Sequence, residues 1–351
     1  MSSGRPLHVL ISNNEGVLDL IRHLKRAPEL AEEIDEIDCS HSWINDNDGV
    51  QLDALRELCG LCNRLRRLSC GTLRAPVSAG SSRDGAVLPL PAVQSFAYAP
   101  LFPLPLPLTM RLFSAAPHLQ RLTLSLRYGG QEHDVKCANA DGSLPSLDHL
   151  RLRTYKLETT FMGCELPLAQ SSDTLEELSV HFGPSIFLPP NEEDSYTTYW
   201  QHTMARLVDA LRDYVFVRLW TVRLATSPHV RGFRTTLFSQ ILAECVFIRR
   251  LALSVCIDDH PLGPLCDILD AVPTPLQQFT IGFALHPPGA EDLQAITHAV
   301  RSCRALSRLR VLEVEGGWPD TLDPELFPTR FEAFEALKRT CTRRKISFTL
   351  L

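Results

Sequence analysis

One spacing pattern runs through the whole chain: an apolar residue, two variable residues, a second apolar residue, one variable residue and a third apolar residue. The clearest copies are Leu119-Leu122-Leu124, Leu147-Leu150-Leu152, Leu175-Leu178-Val180, Ile248-Leu251-Leu253, Leu276-Phe279-Ile281 and Leu309-Leu312-Val314. Most neighbouring copies are 26–29 residues apart. Self-similarity at such a period indicates a stacked solenoid, in which each repeat packs only against its neighbours.

The residues around the second apolar position of each copy alternate in polarity. These second positions are Leu10, Ile37, Leu68, Phe96, Leu122, Leu150, Leu178, Val222, Leu251, Phe279 and Leu312. From Ile37 onward, every residue that follows them is small, polar or charged: Asp38, Ser69, Ala97, Thr123, Arg151, Ser179, Arg223, Ala252, Thr280 and Glu313. Because successive side chains of a strand point to opposite faces, this alternation predicts strands with one buried and one open face.

The segments between the strands have apolar residues three and four apart, which is typical of amphipathic helices. The predicted helices are Glu15–Ala27, Leu52–Leu61, Thr109–Ala115, Tyr199–Leu211, Thr235–Cys245, Leu262–Leu269, Glu291–Cys303 and Arg330–Cys341. Strand, helix and strand in this order predict a parallel sheet with helices on its far side. Two connections rich in glycine and polar residues, Arg74–Pro91 and Arg127–Pro145, are predicted to be irregular loops.

We expect residues 1–351 to form a single solenoid domain of about 11–12 irregular repeats. A step of 44 residues between Leu178 and Val222 marks an insertion near 182–200, and residues 330–351 are predicted to close the C-terminal end with a helix and a strand. Leu7 begins a repeat with no polar cap before it. Since terminal repeats need such a cap, we expect either a missing N-terminal portion or a poorly covered first repeat.

Composition argues against several function classes. The formal net charge of −6 argues against broad binding of nucleic acid or of anionic membranes. The chain has no uninterrupted apolar stretch long enough to cross a membrane and no pattern typical of a signal peptide. We therefore expect an intracellular protein, in the cytoplasm or the nucleus, whose 11 cysteines are reduced thiols.

The motifs of catalysis and metal binding are missing from the sequence. It contains no GxSxG elbow, no GxxxxGK[ST] phosphate loop and no HExxH pair. Cys59 and Cys62 have the spacing of a zinc or redox site, but they lie in a helical pattern where cysteine also fills a core. Glu192–Asp194 could bind a cation or simply be solvated. The prediction is a non-catalytic protein without a metal or a cofactor.

Two further segments leave alternatives open. Phe102–Leu108 alternates proline with apolar residues, which suits either a polyproline ligand for a partner domain or a buried connector. The insertion Gly183–Trp200 is rich in aromatic residues. It could form a lip of a binding surface, or its aromatic side chains could anchor the helix that follows.

The open strand face is the candidate site. Its predicted partner-binding residues are Arg121, His149, Arg151, Arg153, Glu177, His181, Arg223 and Arg250. Both ends of the face are acidic, with Glu36 and Asp38 at one end and Glu313 and Glu315 at the other. Arginine suits bidentate recognition of carboxylate or phosphate, so this basic stripe predicts a protein partner with an acidic or phosphorylated segment. The alternative is a charged face that is only solvated.

Three phrases carry a family resemblance: Arg26–Leu30 (RAPEL), Ala115–Leu124 (AAPHLQRLTL) and Thr174–Val180 (TLEELSV). They resemble the degenerate leucine-rich repeats of fungal F-box-type proteins, in which (A/T)-P-x-L-x-x-L-x-L joins a helix to a strand. The resemblance covers nearly the whole chain and implies a right-handed α/β horseshoe of the ribonuclease-inhibitor type, with parallel strands on its concave face and helices and irregular loops on its convex face.

In complete members of that family, the repeats recognise substrates for a cullin-type ubiquitin ligase, and an N-terminal F-box docks a Skp-type adaptor. Residues 1–50 contain no match to an F-box and enter a repeat directly. The resemblance therefore implies substrate recognition on the concave strand face, whereas adaptor binding is not carried over. The alternative hypothesis is a truncated or regulatory leucine-rich-repeat scaffold with no role in recruitment to a ubiquitin ligase.

Overall fold

The structure is a computed structural model. It describes residues 7–40, 49–74, 87–100, 104, 106–126, 146–159, 166–182, 205–226, 234–255, 265–283, 287–316 and 323–351. The chain divides into two compact units. Unit 1 comprises Met1–Ser171 with Pro184–Thr203, and unit 2 comprises Ser172–Gly183 with Met204–Leu351. The expectation of a single continuous domain stays a prediction.

Unit 1 is built on a parallel sheet whose strands follow one another in chain order. These strands are β1 (Leu7–Leu10), β2 (Ile34–Cys39), β4 (Arg67–Cys70), β6 (Ser95–Tyr98), β7 (Arg121–Leu126) and β8 (Thr154–Thr159). A separate short parallel pair joins β3 (Val50–Gln51) to β5 (Leu73–Arg74). The described α-helices of unit 1 are α1 (Asn14–Arg26), α2 (Leu52–Leu61), α3 (Leu106–Phe113) and α4 (Leu166–Ala169), and a 3-10 helix spans Pro28–Glu32.

Unit 2 repeats the same scheme. Its parallel strands, again in chain order, are β9 (Glu177–Phe182), β10 (Thr221–Thr226), β11 (Arg250–Val255), β12 (Gln278–Phe283), β13 (Val311–Glu315) and β14 (Ser347–Leu350). Its described helices are α5 (205–213), α6 (Arg234–Glu244), α7 (Leu265–Asp270), α8 (Ala290–Ser302) and α9 (Pro328–Arg343). Parallel strands joined through helices on one side, at a repeat of this length, form an α/β leucine-rich-repeat solenoid.

The strand register aligns the apolar positions of neighbouring repeats into ladders that are buried except at their terminal members, Val9 and Phe348, which are half-buried. In unit 1 the central ladder is Val9, Ile37, Leu68, Phe96, Leu122 and Tyr155. In unit 2 it is Leu178, Val222, Leu251, Phe279, Leu312 and Phe348. Helices contribute the other side of each core: α1 buries Val17, Ile21 and Leu24, for example. The pleat thus leaves the opposite face of each sheet free of helices in the described segments.

Most predicted elements are confirmed, with shifts of a few residues at their ends. Helices α1, α2, α6, α8 and α9 lie where the apolar spacing placed them. Helix α3 begins at Leu106, three residues before its predicted start at Thr109. The last part of the proline-rich segment is therefore helical and not extended. Within that segment Leu104 is buried, and its backbone N–H donates to the Tyr98 hydroxyl at 3.1 Å. Contacts of this kind favour the connector interpretation over a displayed ligand.

Two predicted strand registers are wrong. At the N-terminus, Val9 pairs with Ile37, so Leu10 points to the open face and is 61% exposed. A slip of one residue reverses the face of every side chain. In the sixth predicted repeat, Tyr155 and not Leu150 pairs with Leu122 of the preceding strand. Strand β8 therefore lies five residues beyond its predicted place.

Several predictions fall outside the described residues. These include most of the two irregular loops, at 75–86 and 127–145, and nearly all of the insertion predicted near 182–200, with the candidate cation site Glu192–Asp194. No helix within the described parts of the chain combines the length and the apolar character needed to cross a membrane.

Candidate protein-binding surface

We call the helix-free side of each sheet its open face. Two outward side chains per strand line it, one on each side of the central buried residue. In unit 1 the row that follows the buried ladder is Leu10, Asp38, Ser69, Ala97, Thr123 and Lys156. In unit 2 the same row is Ser179, Arg223, Ala252, Thr280, Glu313 and Thr349. Apart from Leu10, these residues are small, polar or charged.

The N-terminal end of the open face in unit 1 is acidic: Glu36 is paired with cations, whereas Asp38 Oδ1 accepts a hydrogen bond from the Ser40 backbone N–H at 2.8 Å. Glu36 lies 3.0 Å from the Arg67 guanidinium and 3.8 Å from the His8 ring. Asp35 contacts Arg66 and Arg67, each at 3.4 Å. The two carboxylates thus neutralise arginines that the strand register brings beside them.

Strands β7 and β8 form the basic part of this face. Arg121 and Lys156 are both exposed on it. Glu158 lies opposite Ser125, whose hydroxyl donates to the Glu158 carboxylate at 2.7 Å. The face of β8 therefore presents one cation and one anion, and not the three basic side chains that the predicted register placed there.

His149, Arg151 and Arg153 all precede strand β8, which corrects their predicted place on the sheet. Arg151 Nη1 donates to the carbonyls of Asp148 (2.8 Å), Leu150 (2.6 Å) and Gln170 (3.2 Å). Its side chain therefore fastens the turn before β8 to the residues after α4, because a guanidinium can satisfy several carbonyls at once.

The other two displaced residues differ from each other in exposure. Arg153 is exposed immediately before β8, where its backbone N–H donates to the Gln120 carbonyl at 2.7 Å. His149 is half-buried, and its Nε2 atom is shielded from water with no hydrogen-bond partner among the described residues. Neither position belongs to the outward rows of the sheet.

In unit 2 the predicted residues do lie on the open face. Arg223 Nε is 3.0 Å from Glu177 Oε1 on the neighbouring strand, and the carboxylate is the less exposed partner. Arg250 lies between Thr221 and Gln278 in the register and is exposed, and no described carboxylate lies within 4.0 Å of it. His181 lies opposite Ala225 and is half-buried.

Towards the C-terminus the face becomes acidic, as predicted. Glu313 Oε2 accepts hydrogen bonds from the Thr280 hydroxyl at 2.6 Å and from Gln278 Nε2 at 3.0 Å. These bonds fix the carboxylate against β12. Unit 2 therefore presents arginines on β10 and β11, small side chains in between, and an oriented carboxylate on β13.

The Cys59–Cys62 pair belongs to the core. Both thiols are buried, as are Cys39 and Cys70 on the strands nearby. Burial raises the pKa of Cys62 to about 11 and that of Cys39 to about 12, so these thiols are neutral at physiological pH. Among the described residues, no group of three or more His, Cys, Asp or Glu side chains is arranged to hold a metal ion.

Sequence reasoning missed Lys156 and Glu158 as open-face residues. The signal was present, because Leu152-x-x-Tyr155-x-Leu157 also fits the repeat pattern. Two overlapping frames compete here, and the structure uses the second. Leu150 and Leu152 are still buried, but in the turn that precedes the strand.

Comparison with known proteins identifies no family for this chain. No protein-family model matches it, and no curated protein matches it either. Among solved structures, it is similar to the leucine-rich repeat-containing protein LegL7 from Legionella pneumophila, with 11% sequence identity and a TM-score of 0.44. That match covers 100% of this chain and 85% of the other.

Proposed function

We propose that this protein is a non-catalytic interaction module that binds a protein partner on the open faces of its parallel sheets. The proposal rests on one observation, which is that the two sides of each sheet differ in coverage and polarity. One side is covered by helices and buried, whereas the other presents a regular array of polar and charged side chains. Solenoids use such arrays as extended binding surfaces.

The partner favoured by this array is a segment that carries carboxylate or phosphate groups. Arg121 and Lys156 in unit 1, and Arg223 and Arg250 in unit 2, are exposed cations on strands held in fixed register. Such cations lose little conformational freedom of the backbone on binding, and arginine can engage an oxyanion through two parallel hydrogen bonds. Arg151 leaves the proposed site because its guanidinium already serves three carbonyls.

The biological role we propose is substrate recognition inside the cell, of the kind that F-box-type leucine-rich-repeat proteins perform. This finer statement rests on the phrases RAPEL, AAPHLQRLTL and TLEELSV and on their position at helix-to-strand junctions. Retention of a Skp-type adaptor on affinity purification from the native cell would support recruitment to a ubiquitin ligase. Purification of partners without an adaptor would favour a regulatory scaffold.

The test is affinity purification with a charge-reversed open face. The variant Arg223→Glu/Arg250→Glu should lose captured partners by tenfold or more in quantitative mass spectrometry, since like charges then oppose an acidic segment. A matched control is Lys338→Glu/Arg339→Glu, which reverses two exposed cations on α9. Equal partner recovery from the two variants would exclude the unit 2 open face as the site. Circular dichroism should show the same helix content in both.

A further inference from the structure

A second surface of unit 2 lies beside the open face, at the edge where its strands begin. One residue immediately precedes each of the strands β9 to β13, and we call these residues the strand-start row. They are Glu176, Trp220, Arg249, Gln277 and Arg310. The Trp220 carbonyl accepts N–H bonds from Arg249 and Arg250, both at 2.9 Å. The Arg249 and Gln277 carbonyls accept in the same way from the next repeat, at 2.8–3.1 Å. The row is therefore rigidly spaced, with about 4.8 Å per step.

Apolar side chains at this edge are exposed. Trp220 is 43% exposed and Val217, three residues before it, is 50% exposed. The next repeat adds Val246 and Phe247, at 47% and 44%. Because the register sets Trp220 beside Arg249, these four side chains lie on adjacent repeats at one edge of the sheet, and we take them together as an apolar patch. Contiguous exposed apolar surface of this kind marks interaction sites more often than isolated apolar residues do.

Cations frame this patch. Arg218, Arg249, Arg308 and Arg310 are all exposed at the same edge. Within the described part of unit 2, none of them has a carboxylate within 4.0 Å, whereas Arg212 is paired with Asp209 and Glu244. Glu176, at the first step of the row, is half-buried. The edge thus combines apolar contact area with unneutralised positive charge.

We propose that the strand-start edge of unit 2 binds an extended acidic segment of a protein partner, in which apolar side chains contact Trp220 and carboxylates contact Arg249 and Arg310. Charge complementarity favours acidic residues, and the exposed Trp220 ring favours apolar ones. From Trp220 to Arg310 is three strand steps, or about 14 Å, which four or five extended residues span. This surface differs from the open face, so its test does not depend on the proposed function.

The probe is a fluorescein-labelled peptide that alternates glutamate and leucine, used with the full chain. Fluorescence anisotropy should show binding that weakens tenfold or more in Arg249→Glu/Arg310→Glu, and by a smaller factor in Trp220→Ala. Binding should weaken with added salt, because exposed charges are screened. The control variant is Lys338→Glu/Arg339→Glu, in which binding should change less than threefold.

A second readout places the peptide at this edge. With the other three of the four tryptophans replaced by phenylalanine, Trp220 emission should shift to the blue when the peptide binds and excludes water from the ring. An unchanged Trp220 spectrum, or equal binding by the edge and control variants, would overturn the proposal. Binding to phosphatidylserine-containing vesicles without binding to the peptide would overturn it too, in favour of an anionic membrane surface.

A different observation concerns two thiols in unit 2. Cys266 on α7 is half-buried, and its Sγ lies 3.1 Å from the Sγ of Cys303, which is buried at the end of α8. We infer that this pair is a site of reversible disulfide formation under peroxide. The Cys266 thiol, which solvent can reach, reduces the peroxide, becomes a sulfenic acid and releases water. The Cys303 thiol then attacks that sulfur, forms the S–S bond and releases a second water.

Peptide mapping by mass spectrometry after peroxide and alkylation tests this inference. The wild-type protein should give a Cys266–Cys303 crosslinked peptide that lacks the mass of two hydrogen atoms and disappears on reduction. Cys303→Ser should instead accumulate sulfenic or sulfinic acid at Cys266. Burial raises the pKa of Cys303 to about 12, so crosslinking should accelerate as pH rises. Sulfinic acid at Cys266 in the wild-type protein, without a crosslink, would contradict the inference.

Discussion

The two units place arginines at the same edge of their sheets but treat the charge differently. In unit 1, Arg64, Arg66 and Arg67 contact Glu32, Asp35 and Glu36 at 3.0–3.4 Å. In unit 2, Arg218, Arg249, Arg308 and Arg310 have no described carboxylate in that range. The repeat geometry is the same, so the difference lies in which residues precede each strand.

The exposed apolar residues follow the same division. Among the described residues of unit 1, the large exposed apolar side chains are Leu7 and Leu10 of the terminal strand β1. Unit 2 exposes Trp220, Val217 and Phe247 at internal repeats. In unit 1 the arginines at the start of β4 are neutralised by carboxylates, so its proposed binding residues are Arg121 and Lys156 on β7 and β8. In unit 2 the edge arginines and several apolar side chains are exposed together, and both proposed protein-binding sites of unit 2 lie on or beside them.

The largest expected effect is a loss of stability when a buried ladder residue is truncated, and it tests whether the two units contribute equally to the stability of the protein. Phe96 in unit 1 and Phe279 in unit 2 occupy the same ladder position and are both fully buried. Phe96→Ala and Phe279→Ala should each lower the free energy of unfolding by about 3–5 kcal/mol, because each leaves a cavity. Urea denaturation followed by circular dichroism measures this loss.

The same experiment tests the single-domain prediction. If the chain unfolds as one domain, both substitutions shift one shared transition. Two transitions, each sensitive to only one of the substitutions, would contradict a continuous cooperative solenoid.

An alkaline effect should arise from the core strands of unit 1, in addition to that of the buried thiols on or beside helices α6, α8 and α9 of unit 2. Its strands β2 and β4 place Cys39 and Cys70 at core positions that unit 2 fills with Val180 and Leu224. Burial, and secondarily Asp38, raises the pKa of Cys39 from 9.0 to about 12. The unfolded chain therefore loses this proton first as pH rises. The stabilising contribution is complete below pH 9 and is lost between pH 9 and 12.

Each such thiol lowers the free energy of unfolding by about 1.4 kcal/mol per pH unit in that window. In Cys39→Ala the fall from pH 9 to 11 should be smaller than in the wild type by about 2 kcal/mol. Urea titrations at pH 8, 9, 10 and 11 measure it. Parallel curves for the two proteins would show that Cys39 ionises at an ordinary pKa in the folded state.

Removing the two carboxylates that pair with Arg66 and Arg67 should leave unit 1 with unneutralised arginines at its sheet edge, as in unit 2. In Asp35→Asn/Glu36→Gln, Arg66 and Arg67 lose their partners while the backbone register is retained. The stability cost should be about 1 kcal/mol or less, because these arginines are exposed. The variant should elute from a polyglutamate resin at higher salt than the wild type. Identical elution would mean that self-neutralisation does not limit anion binding in unit 1.

The sequence predicted the ladders well because burial imposes its pattern on every repeat. Leu178, Val222, Leu251, Phe279 and Leu312 share one register, as their spacing indicated. Prediction failed at Leu150 because two frames of the same motif overlap there, and only packing decides between them. It failed at Leu10 because an edge strand has a neighbour on one side only, so less of the pattern is enforced.

The candidate site was predictable only in part, for a related reason. Alternation tells which side chains face outward, and it correctly placed Glu177, Arg223 and Arg250. It does not tell which arginine has a partner. Arg151 was expected on the surface for binding, yet its guanidinium is committed to three backbone carbonyls that are distant in sequence or hidden in a turn. Such pairing depends on tertiary contacts, which a period in the sequence does not encode.

The smallest expected change in stability concerns the ion pair between Glu177 and Arg223 on the unit 2 open face. Glu177 holds Arg223 at 3.0 Å, but Arg223 is 54% exposed, so solvent and salt weaken the attraction. Glu177→Gln should therefore change the free energy of unfolding by less than about 1 kcal/mol. It should nevertheless raise recovery of an acidic partner severalfold in affinity purification, because Arg223 is then released from a competing carboxylate. Reduced recovery would instead mean that Glu177 orients Arg223 for binding and does not mask it, which would make the unit 2 pair part of the recognition surface.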